Sequence, residues 1–447
     1  MPAQEETQLE PGVVEEVPPA IDTADDESPP EEAEPRPMTL PSGEEILPED
    51  LIYQGAFRLP EASGGSDWDY SGHGLTFYPG GDPNNPDDGF PGSLYGVGHD
   101  QQLQVSEISI PAPVISKNLD DLNTAVTLQE FSDLTDRMFD REALALPRMG
   151  IEYLPAQGSQ ATDKLHFTYG QHIQDFEPSH GWSELDLSKP QAVGPWVFGT
   201  YSNYTTNDYL FEIPADWADA YTPGMYLGSG RFREGVWSGR GPAIYAYAPW
   251  VDGNPPGRNA ELTTIKPLLL YGIQEPGIPD IVSDDSMQMN GYQESDHWLG
   301  AAWLSAGDKS ALIFTGTKAM GQSWYGFANG VVWDYACADV TPSTCPEYPE
   351  WPYDDRGFWA EDYQAQLLFF NTNDLAAVAQ GQMETYDPQP YASLDLTPYL
   401  YDPQLNHADY KRDLITAPAF DRENGILYVI ERLADEYKSV IHTWKIE

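Results

Sequence analysis

From Leu51 onward, apolar and polar positions alternate in short runs bounded by Gly, Pro, Asn and Asp, and few stretches hold a helical period. The pattern predicts strands. One unit returns along the chain: a short strand, a turn, a loop with Gly, then a strand ending in Gly and a polar residue. It first reads GLTFYP from Gly74 with SLYGVGHD ending at Asp100, and next GIEYLP from Gly150 with KLHFTYGQH ending at His172. YLFEIP from Tyr209 with GMYLGSGRF ending at Phe232, AAWLSAGDKSALIFTGTK from Ala301 to Lys318, and APAFDRENGILYVIER from Ala417 to Arg432 complete five copies.

Each copy is followed by a third strand-like run, at Val105, Trp182, Ala243, Gln366 and His442, and fourth runs fall near Ala125, Trp196, Thr263 and Tyr391. Four strands per unit predict the blades of an all-β, single β-propeller. The last unit lacks its fourth strand, so the run near Ile52 is expected to close the ring and remove an open edge. Five blades is the expected count. The 115-residue interval between the strand ends at Gly316 and Glu431 leaves six or seven as an alternative, with a β-sandwich or two domains behind it. That interval is read as a Cys-containing loop insertion near residues 320–360 of a domain spanning 51–447.

Composition changes the picture at the N-terminus. Residues 1–50 hold sixteen acids, one base (Arg36) and ten prolines. Such a stretch cannot bury enough surface to offset its ordering entropy, so it is expected to be a disordered acidic tether, of the kind that follows a lipoprotein or secretory cleavage site. The whole chain carries 72 acidic and 22 basic residues, a formal charge of -50, which disfavours nucleic acid and anionic membrane surfaces as partners. A saline habitat would select the same surface. Cys337 and Cys345 suit a small disulfide-closed loop and an oxidising compartment, with two buried thiols as the alternative. No stretch is apolar enough to span a bilayer and no signal peptide begins the sequence, so an exported protein, whether secreted, periplasmic or an outer-surface lipoprotein, would have lost its signal. A monomer is expected.

The strings PGSLYGVGHD, VSEISIPAP, NYTTNDYLFEIP, WYGFANGVVW and DPQPYASLD resemble an uncharacterised family of exported bacterial proteins, over Ile52 to Glu447. The resemblance implies no activity and no catalytic residues. In fold the chain is similar to five-bladed propellers that include sugar-binding lectins and glycosidases, which share architecture only.

If second strands return to one end of the channel, their polar termini form a cluster. The residues delivered are His99 and Asp100, Gln171 and His172, Arg231 and Arg233, Lys318, and Glu431 with Arg432. Nearby loops add His180, Trp237, Arg240, Trp324, Tyr325 and Trp333, whose rings suit stacking on sugars. In a chain with few cations, several Arg and Lys residues near one axis would make a positive spot that attracts a carboxylate or sulfate.

These residues point first to an extracellular polysaccharide. A lyase needs a cation for the uronate, Arg231 or Lys318, and a base, His99 or His172, with Arg432 and Glu431 beside them. A glycosidase needs two carboxyls, one with a raised pKa. A non-catalytic adhesin or lectin-like module uses the same residues with less demanding geometry. No cofactor is expected. A divalent metal could be held by His73, His99 and His172, and the loop from Gly80 to Phe90 offers oxygens that calcium accepts, although satisfied histidines and a solvated turn are the simpler expectations. GxSxG, HExxH and phosphate-loop motifs are absent.

Overall fold

A computed structural model of the protein describes residues 43–82, 89–139, 148–170, 176–232, 238–334, 345–350, 354, 356–404 and 412–447. Two strands open this part, β1 (Glu44–Glu45) and β2 (Leu51–Arg58). Blade one is β3 (Leu75–Tyr78), β4 (Ser93–Val97), β5 (Val105–Ser109) and β6 (Thr127–Ser132). Blade two is β7 (Ile151–Leu154), β8 (Lys164–Thr168), β9 (His180–Ser183) and β10 (Val193–Trp196). Blade three is β11 (Tyr209–Glu212), β12 (Leu227–Gly230), β13 (Ile244–Tyr247) and β14 (Ile265–Leu269). Blade four is β15 (His297–Ala306), β16 (Lys309–Gly326), β17 (Gly357–Phe370) and β18 (Pro390–Asp395). Blade five is β19 (Ile415–Asp421), β20 (Ile426–Asp435), β21 (Lys438–Ile446) and, as its outer strand, β2.

The fold is therefore all-β with five four-stranded blades, and the higher blade counts fall away. The inner strands touch in the order β3, β7, β11, β15, β19 and then β3 again, which closes the ring. Five apolar clusters fill the spaces between successive blades. In the one joining blade five to blade one, Phe57, Ala417, Tyr428 and Ile441 pack with Leu75, Leu94 and Ile108. Period-two alternation gives each strand two apolar faces, because both sides of a blade meet a neighbour. β2 pairs with β21 from Leu51↔Ile446 to Arg58↔Val440, and so supplies the strand that blade five lacks.

The described residues just before Leu51 pack on blade four. β1 pairs in parallel with the start of β16, Glu44 with Lys309 and Glu45 with Ser310. Ile46 is fully buried, and Asp50 accepts a 2.6 Å bond from Lys309 Nζ. The buried Ile46 anchors this stretch to blade four, which composition averaged over fifty residues conceals.

Candidate functional site

Each inner strand is antiparallel to the second strand of its blade, so the heads of inner strands and the ends of second strands meet at one end of the channel. Leu75 faces Gly96, Tyr209 faces Gly230, His297 faces Thr317 and Ile415 faces Glu431. This end is the proximal mouth. Glycines keep it narrow: a Cβ at Gly74 would lie 2.4 Å from the Met149 carbonyl, and one at Gly150 would lie 2.6 Å from the Asp208 carbonyl. Such approaches bring Arg148 and Asp208, on neighbouring blades, against each other.

Among the described residues four cations converge there, each opposite a carboxylate. Arg432 donates to Asp413 Oδ2 at 3.2 Å and to the carbonyls of Ser71 and Tyr70, with Asp100 at 3.7 Å. His297 Nδ1 donates to the other oxygen of Asp413 at 2.8 Å. Asp208 Oδ2 lies 3.3 Å from Arg148 and 3.4 Å from Arg231. Arg231 also donates to Asn203 O and Asn207 Oδ1, at 3.0 Å each. Lys318 donates to Asp296 Oδ1 at 2.6 Å. The expected positive spot is thus a charge-matched network. Arg231 and Arg432 are 0 and 1% exposed, so their guanidiniums serve the network before any ligand.

The groups perturb one another in consistent directions. Burial and the guanidiniums of Arg432 and Arg148 hold the His73 imidazole well below its ordinary range, with Asp413 opposing, so the ring is neutral. His73 Nε2 is buried with no hydrogen-bond partner among the described residues. Burial would raise Asp413, but the bond from His297 and the charges of His297, Arg432 and Arg148 drive it well below the carboxylate range. Burial raises Asp100, opposed by Arg432 and His99, and raises Asp296, opposed by Lys318.

Blade four adds an arm at this mouth. Beyond Thr317, β16 pairs only with β17, out to Gly326↔Gly357. The eight residues of strand from Lys318 to Tyr325 span about 23 Å. Trp324, Tyr325, Trp333, Tyr348 and Phe358 lie on or beside this arm and are partly exposed. Trp324 Nε1 donates to Phe327 O at 3.1 Å, Tyr325 packs against Phe358 with centroids 4.9 Å apart, and Trp333 stacks on Tyr348 at 4.6 Å. Arg412, next to Asp413, ties the arm to the mouth by donating to Phe358 O at 3.3 Å and covering the Trp359 ring at 4.2 Å. At the arm's root, Ser323 Oγ lies 2.6 Å from Ser295 Oγ, immediately before Asp296.

The other expected site residues fall in different places. His99 stays at the mouth, 3.4 Å from Asp100 and with its ring 5.5 Å from that of Tyr70. Glu431 does not join Arg432. It accepts from the backbone N–H groups of Tyr401 and Asp402 and pairs with His442 Nε2 at 2.7 Å, because adjacent strand residues point to opposite faces. Arg240 is bound to Asp285 at 2.5 Å. His180 is no loop residue: it sits inside β9, fully buried, bonded to Ser229 Oγ across the space between blades two and three. Gln171, His172, Arg233, Trp237 and Cys337 lie outside the described residues, as does most of the Gly80 to Phe90 loop. Among the described residues no three His, Cys, Asp or Glu side chains are grouped to hold a metal ion. No described helix is long and apolar enough to cross a membrane.

Arg148, Asp208, Asp296, His297 and Asp413 were missed from the sequence. They share one signal, a charged or imidazole residue within three positions of the inner strand's head, where His73 also stands.

Fold and mouth together define a five-bladed β-propeller with a charge-matched polar cluster at one end of its channel and an aromatic arm beside it. No protein-family model matches the chain, and no curated protein matches it.

Proposed function

We propose that this protein is an extracytoplasmic polysaccharide-binding propeller that holds a glycan chain across the proximal mouth and along the blade-four arm. The observation that carries the proposal is the arm: a two-stranded extension beyond the ring whose Trp324, Tyr325, Trp333 and Phe358 rings stay partly open to solvent. Aromatic faces of this kind stack on sugar rings. The mouth supplies hydrogen-bonding groups of both signs for hydroxyls. Binding without turnover fits better than cleavage, because the cations expected to act on a substrate are buried in ion pairs. Export through a cleaved signal, display on the acidic N-terminal segment, and closure of the arm's loop by Cys337 and Cys345 belong to the same proposal.

Affinity electrophoresis against neutral and acidic polysaccharides tests it, with reducing ends and unsaturated products assayed in parallel. The wild type should be retarded in at least one gel without releasing products, and Trp324→Ala combined with Trp333→Ala should migrate as in a glycan-free gel. Equal retardation of the double variant would remove the arm from the account, and products would return the protein to the enzymes.

A further inference from the structure

The mouth's cations are all opposed by carboxylates, yet one arginine on the arm is held differently. Arg356 is exposed, and its guanidinium lies 4.2 Å from the Trp333 ring centroid and 5.7 Å from that of Tyr325. No carboxylate of the described residues is within ion-pairing distance of it. The rings beneath it are themselves braced, Trp333 by Tyr348 at 4.6 Å and 22°, Tyr325 by Phe358 at 4.9 Å and 62°. In a chain with 72 acidic residues, an exposed arginine held by aromatic rings and with no ion-paired carboxylate among the described residues stands apart.

A stacked guanidinium keeps its N–H groups in the plane and turned outward, a fork that matches two oxygens of a carboxylate or sulfate. An ammonium in its place would keep the charge and lose the fork. Stacking also limits the side-chain entropy lost when an anion binds. The cation–π contacts alone would steady the arm, but they do not require the donor edge to be free.

We infer that Arg356, with Trp333 and Tyr325, forms a subsite for the anionic substituent of an acidic sugar, a carboxylate or a sulfate, in the glycan held by the arm. This rests on the reading of the arm as a glycan surface. The buried arginines of the mouth take no part in recognising that charge. Selectivity for acidic over neutral chains therefore resides on the arm.

Calorimetric titration of the full chain tests the inference with three oligosaccharides of matched length: an oligouronate, a sulfated galactan fragment and a neutral glucan or mannan. Arg356→Ala should weaken the better of the two acidic ligands tenfold or more, flatten its salt dependence, and leave the neutral ligand within twofold. Arg356→Lys should recover only part of the loss. Which acidic ligand suffers identifies carboxylate or sulfate as the group read. Equal weakening of acidic and neutral ligands would show that Arg356 only braces the rings, overturning the subsite while the glycan reading stands. Binding of none of the three by the wild type would overturn the glycan reading itself. Unchanged melting midpoints guard against a folding defect.

Discussion

The two ends of the channel are built by the same five inner strands, yet they handle charge in opposite ways. At the proximal mouth, groups from the strand heads and from the ends of the second strands pair cation with carboxylate, as Arg432 does with Asp413 and Lys318 with Asp296. At the distal end, two glutamates from neighbouring inner strands stand near one arginine, which pairs with only one of them. Arg422 donates to Glu212 Oε2 at 3.1 Å and to Ser305 Oγ at 3.0 Å. Glu152 is left with neutral donors, the Thr76 hydroxyl at 2.9 Å and the Glu212 backbone N–H at 3.1 Å. Burial, then the nearby Glu212 charge, pushes its pKa up to about 8. A propeller channel thus tolerates ionised groups where loops can deliver partners from several blades. Where only inner strands supply side chains, a carboxyl keeps its proton. A glycosidase also uses two carboxyls, one of them raised, but this distal pair lines a cavity of about 20 Å3, room for a water and not for a sugar.

The sharpest way to break the contrast is to remove a shared counter-charge at the proximal mouth. Asp208→Ala takes away the carboxylate that Arg148 and the fully buried Arg231 share, and should lower stability by about 3 to 5 kcal/mol in urea unfolding. A loss under 1 kcal/mol would mean the network contributes little. The close backbone approach that forms the mouth comes next: a Cβ at Gly316 would lie 2.0 Å from the His297 carbonyl, so Gly316→Ala should cost about 1 to 3 kcal/mol. At the distal end the effect is smaller and depends on pH. Folded Glu152 holds its proton to about pH 8, whereas unfolded it releases at the ordinary glutamate value of 4.5, so rising pH favours unfolding across that window. Glu152→Gln should match the wild type near pH 4.5 and exceed its melting midpoint by about 2 °C above pH 8. A constant difference across this range would show that Glu152 is ionised throughout.

Blade strands were legible because both faces of every blade are packed, so short apolar runs between turn residues mark each one. Ring closure by β2 was legible from the missing fourth strand. Half of the mouth was legible too, since Gly followed by a polar residue recurs at Gly98, Gly230 and Gly316. Of the other half only His73 was legible: the inner strands' heads also carry Arg148, Asp208, His297 and Asp413, different residue types with no repeating motif. Pairing was invisible as well, because Arg148 and Asp208 stand 60 residues apart and meet only through the ring. Glu431 was placed beside Arg432 by counting positions, where the two-residue period of a strand turns it to the opposite side. Arg356 was hidden in an insertion that carries no repeat.

The most direct measurement is a crystal structure of the protein with an acidic oligosaccharide long enough to reach from the mouth to the tip of the arm. The account predicts sugar rings on Trp324 and Trp333, with an anionic group at Arg356. Sugar found instead in the open grooves beside Leu185 and Asp186, between blades one and two, with the arm bare, would contradict it.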